Sequence, residues 1–220
     1  MLTVLTQRGL KYSCRFLNGW ILKNIDQGPR FQYFAFGANM DPELLRKKEI
    51  YPRSSKKCEL KDYQLKIDVP CEYLGKGFAS VSISKGDSVW GVVHDISFLE
   101  MLYIDVLEWV LFSFHKRVAD NVQIEGEETS VKTWFYVAGS PRGDLKTSNG
   151  YKQMLLDAAN KFDFPMEYIR SIEDLPTGNK FDYDHGFRLS NPSKRRYFEK
   201  ELRRIYSAHD KLRDKLCSII

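Results

Sequence analysis

Apolar positions along this chain come in short runs with two different periods. Residues 31–36 (FQYFAF) are aromatic and apolar throughout, the pattern of a buried strand. The run breaks at Gly37-Ala38-Asn39. Asp41-Pro42-Glu43 then supplies a capping residue with proline at the first helical position, which predicts a short helix through Leu44 and Leu45. Tyr63 to Val69 (YQLKIDV) alternates and predicts a strand. Ala79, Val81 and Ile83 alternate with Ser80 and Ser82. Lys85-Gly86-Asp87 reads as a turn, and Val89 to Ile96 as the strand that returns from it, a hairpin. Phe98 to Val110 has helical apolar spacing. Val118–Ile124 and Val131–Val137 predict a second hairpin around Glu125-Gly126-Glu127. A polar loop, Ser140 to Gly150, precedes two helices, Tyr151–Phe162 and Phe164–Ile172. Pro176-Thr177-Gly178-Asn179 marks the end of the compact body.

Strands in hairpins with a few inserted helices predict an α+β domain built on a mostly antiparallel sheet or small barrel. The chain divides into an N-terminal extension (1–30), one domain (31–178) and a basic, helical tail (179–220). The length, 220 residues, suits a single core, and a hydrophobic content of 43% excludes a disordered chain.

Charge adds the tail to this picture. Net charge is +5, and the segment Lys194–Lys215 alone holds nine Lys/Arg against four Asp/Glu. The rest of the chain is therefore neutral: a body carrying a basic tail, not a basic protein. The tail's arginines are interleaved with Glu199, Glu201, Asp210 and Asp214, so it presents no phosphate-binding stripe and no nucleic-acid role is expected. The chain ends Cys217-Ser218-Ile219-Ile220, of C-a-a-X form. Together with the basic residues this would give two membrane signals, so weak membrane association through the tail stands beside a cytoplasmic location. No run of about 18 apolar residues occurs, so no helix is expected to span a membrane. The first 25 residues hold Arg8, Lys11, Arg15 and Lys23 and no acid, but few serines and a poor amphipathic pattern favour a plain extension over an organellar address. Cys14, Cys58, Cys71 and Cys217 show neither C-x-x-C spacing nor histidines at metal-ligand distance. They read as free thiols of a reducing compartment, with no zinc site.

Two places carry candidate chemistry. At Phe36-Gly37-Ala38-Asn39 the glycine permits a tight turn whose N–H groups can point into one concavity before a helix start, a setting for a carboxylate or oxyanion. Glu108 closes a mainly apolar stretch, Met101 to Val110. Partial burial there would favour its protonated form and suit it to proton transfer.

These residues resemble a known family. Tyr33-Phe34-Ala35-Phe36-Gly37-Ala38-Asn39-Met40 looks like the YFAYGSNM signature of the γ-glutamylcyclotransferase (AIG2-like) superfamily. Gly77–Val93 (GFASVSISKGDSVWGVV) is similar to its G-x-A-x-I and V-W-G-V-V segments. Ile104-Asp105-Val106-Leu107-Glu108 resembles its L-D-x-x-E, whose glutamate is the catalytic acid/base. Tyr151-Lys152 resembles the start of its Q-Y-K-K helix, and Phe164–Tyr168 its LPLEY. The resemblance covers residues 31–175 and implies the family's mostly antiparallel small barrel with flanking helices. It implies Glu108 as general acid/base and Tyr33, Phe34, Ala35, Phe36, Gly37, Ala38 and Tyr151 as substrate-binding. The implied reaction needs no cofactor and no metal: the α-amine of a small γ-glutamyl compound attacks its own γ-carbonyl, releasing 5-oxoproline and an amino acid or amine. Phe36 and Ala38 replace the family's tyrosine and serine, and Trp109 the glycine that often follows the glutamate. These departures keep a second reading open, a catalytically impaired relative serving as a binding or membrane-associated adaptor.

Overall fold

The computed structural model describes residues 29–48, 50–71, 76–108, 110, 114–143 and 145–178. Most of the N-terminal extension, the basic tail with its C-terminal motif, Cys14 and Trp109 lie outside the described residues. Five strands, β1 (Arg30–Ala35), β2 (Ser54–Cys71), β3 (Lys76–Ser97), β4 (His115–Ile124) and β5 (Val131–Ala138), form a closed barrel in the order β1-β3-β2-β4-β5. Closure comes from the parallel pairing of β1 with β5, Tyr33 opposite Trp134, while the other pairs are antiparallel. Among the described residues four α-helices flank it: α1 (Pro42–Arg46), α2 (Phe98–Leu107), α3 (Asn149–Lys161) and α4 (Met166–Glu173). The expected fold class, α+β with a mostly antiparallel small barrel, is the one found. No described helix is long and apolar enough to cross a membrane.

The start of the domain follows its local signals. Asp41 caps α1 by accepting the N–H of Glu43, with Pro42 in the first turn. The second expected hairpin also forms, from His115 opposite Ala138 to Val122 opposite Val131, with Gly126 at φ +78 in its turn.

The first expected hairpin does not form. Residues 79–83 and 89–96 are successive halves of β3, and both run antiparallel to β2: Ile67 faces Ala79, and Ser54 faces Asp95. Asp62 adopts a left-handed φ of 61, and its carboxylate accepts the Gly86 N–H at 2.9 Å. Ser84–Asp87 therefore bulges beside Asp62 instead of reversing the chain. The true partner of 88–95 is the segment SSKKCELK, 54–61, whose lysines mask an inward Cys58 and Leu60, 0% and 1% exposed. Boundaries move for local reasons too. Ser148 caps α3, so this helix begins at Asn149. Pro165 holds its predecessor out of helical geometry, so α4 begins at Met166 and not at Phe164.

The barrel interior is aromatic. Phe135 on β5 meets Phe34 edge-on at 5.8 Å and Tyr63 at 5.9 Å, with Phe36 at 6.5 Å. Gly91 on β3 is required by this packing. A Cβ there would stand 2.4 Å from the Phe34 ring and 2.5 Å from the Ala35 carbonyl oxygen.

Candidate functional site

Helix α2 is fixed to the barrel at both ends, and this aims Glu108. At its start, Ser97 and Glu100 form a capping box. The Ser97 hydroxyl accepts the Glu100 N–H at 3.3 Å, and the buried Glu100 carboxylate accepts the Ser97 N–H at 2.8 Å and the Tyr51 N–H at 2.6 Å. Near its end, Asp105 accepts the Tyr136 hydroxyl at 2.7 Å from β5 and pairs with Arg117 of β4 at 2.7 Å. The Glu108 N–H still donates to the Ile104 carbonyl at 2.8 Å, so Glu108 completes the last turn. Its side chain, 22% exposed, faces a cavity of about 260 Å³.

All eight residues singled out from the sequence line this cavity: Tyr33, Phe34, Ala35, Phe36, Gly37 and Ala38 from β1 and its turn, Glu108 from the end of α2, and Tyr151 from α3. The Phe36 ring packs inward on Phe34 and Phe135. Gly37 has an ordinary φ of −115; its role is close approach. A Cβ there would lie 3.0 Å from the Tyr151 hydroxyl.

The sequence reading does not single out Asn39, Lys48, His115 and Tyr136, which share the wall. Asn39 is the hub. Its Nδ2 donates to Glu108 Oε1 at 3.1 Å and to the Tyr33 hydroxyl at 2.9 Å, while its Oδ1 accepts from Lys48 Nζ at 2.5 Å. Asn39 lies inside the matched signature and is within reach of sequence reasoning. Lys48 and His115 carry no local signal. His115 Nδ1 lies 2.8 Å from the Glu108 carbonyl and 3.4 Å from Oε2. Both partners only accept, so Nδ1 carries the proton, and both carboxylate oxygens of Glu108 face a donor.

Three phenols surround that carboxylate. Burial, then the charge of Glu108, pushes Tyr33 well above the ordinary tyrosine range. Tyr136 is raised by burial and by its bond to Asp105. Tyr151 is pushed up to about 12, chiefly by burial, although its oxygen accepts the Ala79 N–H at 3.3 Å. All three therefore stay protonated at neutral pH and remain donors. Among the described residues, no group of three or more His, Cys, Asp or Glu is arranged to hold a metal ion, and Cys58 is a buried free thiol.

Asn39 is anchored from below by His94, which is 0% exposed. The Asn39 carbonyl lies 3.0 Å from His94 Nε2 and the Ser55 hydroxyl 2.8 Å from Nδ1. The carbonyl only accepts, so Nε2 donates; with its pKa lowered by burial the ring is neutral at pH 7, which leaves Nδ1 to accept from Ser55. Burial lowers its pKa to about 4 from 6.5. The unfolded chain then binds more protons than the folded one between those values. Stability is full above pH 6.5, falls as pH drops through the window, and the loss, about 3 kcal/mol, is complete below pH 4. Urea unfolding at pH 7 and pH 4 should show the native protein losing about 3 kcal/mol more than a His94→Gln variant. Equal losses would mean that the imidazole is charged in the folded state.

Comparison with known proteins adds three findings. Residues 88–172 match the family model described as the AIG2-like family. A curated γ-glutamylcyclotransferase of Bos taurus is 24% identical over 153 residues, 67% of this chain and 80% of that protein. Among solved structures, a γ-glutamyl cyclotransferase superposes with a TM-score of 0.62 at 21% identity, covering 71% of this chain and 92% of its own. An uncharacterised human protein superposes with 0.60 at 22%, covering 70% and 90%. These two likenesses show that the barrel and its flanking helices are a shared fold.

Proposed function

From the premise that residues 88–172 are a stretch of the AIG2-like family, we propose that this protein is a γ-glutamylcyclotransferase-type enzyme acting on small γ-glutamyl compounds. One observation carries the reading. A carboxylate, Glu108, faces into a half-buried cavity shared with the glycine turn of β1 and the Tyr151 hydroxyl.

The chemistry follows from proton accounting. The substrate's α-ammonium is no nucleophile until Glu108 takes a proton from it. The free amine then attacks the γ-carbonyl of the same molecule, forming the ring C–N bond and leaving a tetrahedral oxyanion. Tyr151 and the N–H groups of the turn are the donors available to that oxyanion. Glu108 gives its first proton to the departing nitrogen, takes the second from the ring nitrogen as the old C–N bond breaks, and passes that one to the released amine, which restores the carboxylate. The products are 5-oxoproline and a free amino acid or amine. Because the attack is intramolecular, holding one folded rotamer in a cavity of this size supplies much of the acceleration.

The test is release of 5-oxoproline by the purified protein from γ-glutamyl-alanine and from glutathione. Release from either supports the reading, and the preferred substrate names the leaving group. Absence of release from both would overturn it in favour of the binding-module reading. Gly37→Ala is a finer probe. Its methyl would press on the Tyr151 hydroxyl, whose ring is held by Phe78 at 5.0 Å and cannot easily retreat. The expected result is a KM raised roughly ten-fold with an unchanged melting temperature. An unchanged KM would mean that Tyr151 and the turn do not act together on substrate.

A further inference from the structure

The cavity wall carries two opposite charges joined by one amide. Lys48 Nζ donates to Asn39 Oδ1 at 2.5 Å, and Asn39 Nδ2 donates to Glu108 Oε1 at 3.1 Å. An amide's nitrogen and oxygen are roughly 2.3 Å apart, so the ammonium and the carboxylate are held no more than about 8 Å from one another. The arrangement has one sense. Lysine only donates, so the amide oxygen must face Lys48 and the amide nitrogen must face Glu108 and Tyr33. His94 fixes the backbone of the same asparagine, so the spacing does not depend on a mobile loop side chain.

We propose that Lys48 is a specificity-determining residue that holds the substrate's α-carboxylate while Glu108 meets its α-ammonium. The ligand class is then a free α-amino acid head bearing a γ-amide. This rests on the cyclotransferase reading and deepens it. An α-amino acid head puts its two charges on one carbon, so binding it brings a carboxylate within a few ångströms of Glu108. In a half-buried cavity that repulsion would oppose binding. Lys48 cancels it, and the zwitterion lies along the Lys48–Asn39–Glu108 line with each charge facing its opposite. A neutral α-carboxamide would gain nothing from Lys48. The glycine turn is thereby left to the γ-carbonyl end of the molecule.

The experiment is calorimetric binding of L-glutamine and of its α-carboxamide to the full-length protein, to Lys48→Met and to Lys48→Arg, each checked by thermal melting. The same proteins are assayed for 5-oxoproline release from γ-glutamyl-alanine. The wild type should prefer glutamine over the amide by about 10- to 100-fold, as expected for a charge-assisted hydrogen bond. In Lys48→Met the preference should fall to within about three-fold of unity, and in Lys48→Arg most of it should return. A preference that survives Lys48→Met, or a wild type that binds neither compound, overturns the assignment. A preference that behaves as expected without 5-oxoproline release would support Lys48 and sink the cyclotransferase chemistry. Turnover with a preference indifferent to Lys48 would do the reverse.

Discussion

Replacing Glu108 by glutamine is expected to lower kcat for 5-oxoproline release by about 10³-fold and to raise KM by about ten-fold, because the charge that meets the substrate's α-ammonium is lost with the base. The substitution keeps the shape and removes the titrating oxygen. The fold should not notice. Helix α2 is held by Ser97, Glu100 and Asp105, none of which depends on the Glu108 side chain. The new glutamine side chain can still accept the Asn39 amide through its own carbonyl, so the hub that spaces Lys48 from position 108 survives. On the proposed mechanism, what is lost is the step that converts the substrate ammonium into a nucleophile. A steady-state assay that includes the melting temperature of the variant decides the matter. Turnover that persists within about ten-fold of wild type would mean that another group is the base, and His115, 3.4 Å from the carboxylate, would be the next to remove.

Truncating Phe135 to alanine should destabilise the domain by about 3–5 kcal/mol, the largest stability effect expected of a single substitution here. Phe135 is 0% exposed and sits where the barrel closes, on the strand paired in parallel with β1. Its ring meets Phe34 and Phe36 on and just after β1, and Tyr63 on β2. No neighbour can collapse into the hole without leaving its own strand register, so both the transfer and the cavity penalties should apply in full. Urea denaturation read by tryptophan fluorescence measures the loss. A value below about 1.5 kcal/mol would show that the wall around Phe135 relaxes, and that closure of the barrel is softer than its ring packing suggests.

The two variants separate the roles of neighbouring parts of one chain. Glu108 lies at the end of a helix whose every anchor is elsewhere, so its replacement should remove chemistry and leave stability. Phe135 underlies the turn that lines the cavity, so its loss should lower stability first and activity only through the unfolded fraction.

Sequence alone is enough for features that neighbours in the chain decide. The strand FQYFAF, the break at Gly37, the Asp41 cap and the hairpin at Gly126 are set by interactions within a few residues, and the structure contains each of them. The motif segments also point to Glu108, the glycine turn and Tyr151, which meet in one cavity. The hairpin expected within β3 fails because Lys85-Gly86-Asp87 has turn chemistry, while the carboxylate that holds it as a bulge belongs to Asp62, on another strand. Cys58 and Leu60 alternate correctly, but four lysines around them between Lys56 and Lys66 hide a strand from a pattern of hydrophobicity. Asn39 and His115 meet Glu108 from the β1 turn and the first residue of β4, and Lys48, just after α1, joins them through Asn39. Periodicity reports which face of an element a residue shares, and says nothing about what stands opposite that face. Closure of the barrel, with β1 paired to β5 and α2 pinned across both β4 and β5, brings Glu108 within hydrogen-bonding distance of Asn39 and beside His115. The sequence thus determined the local elements and pointed to Glu108, while the tertiary structure decided which groups face it.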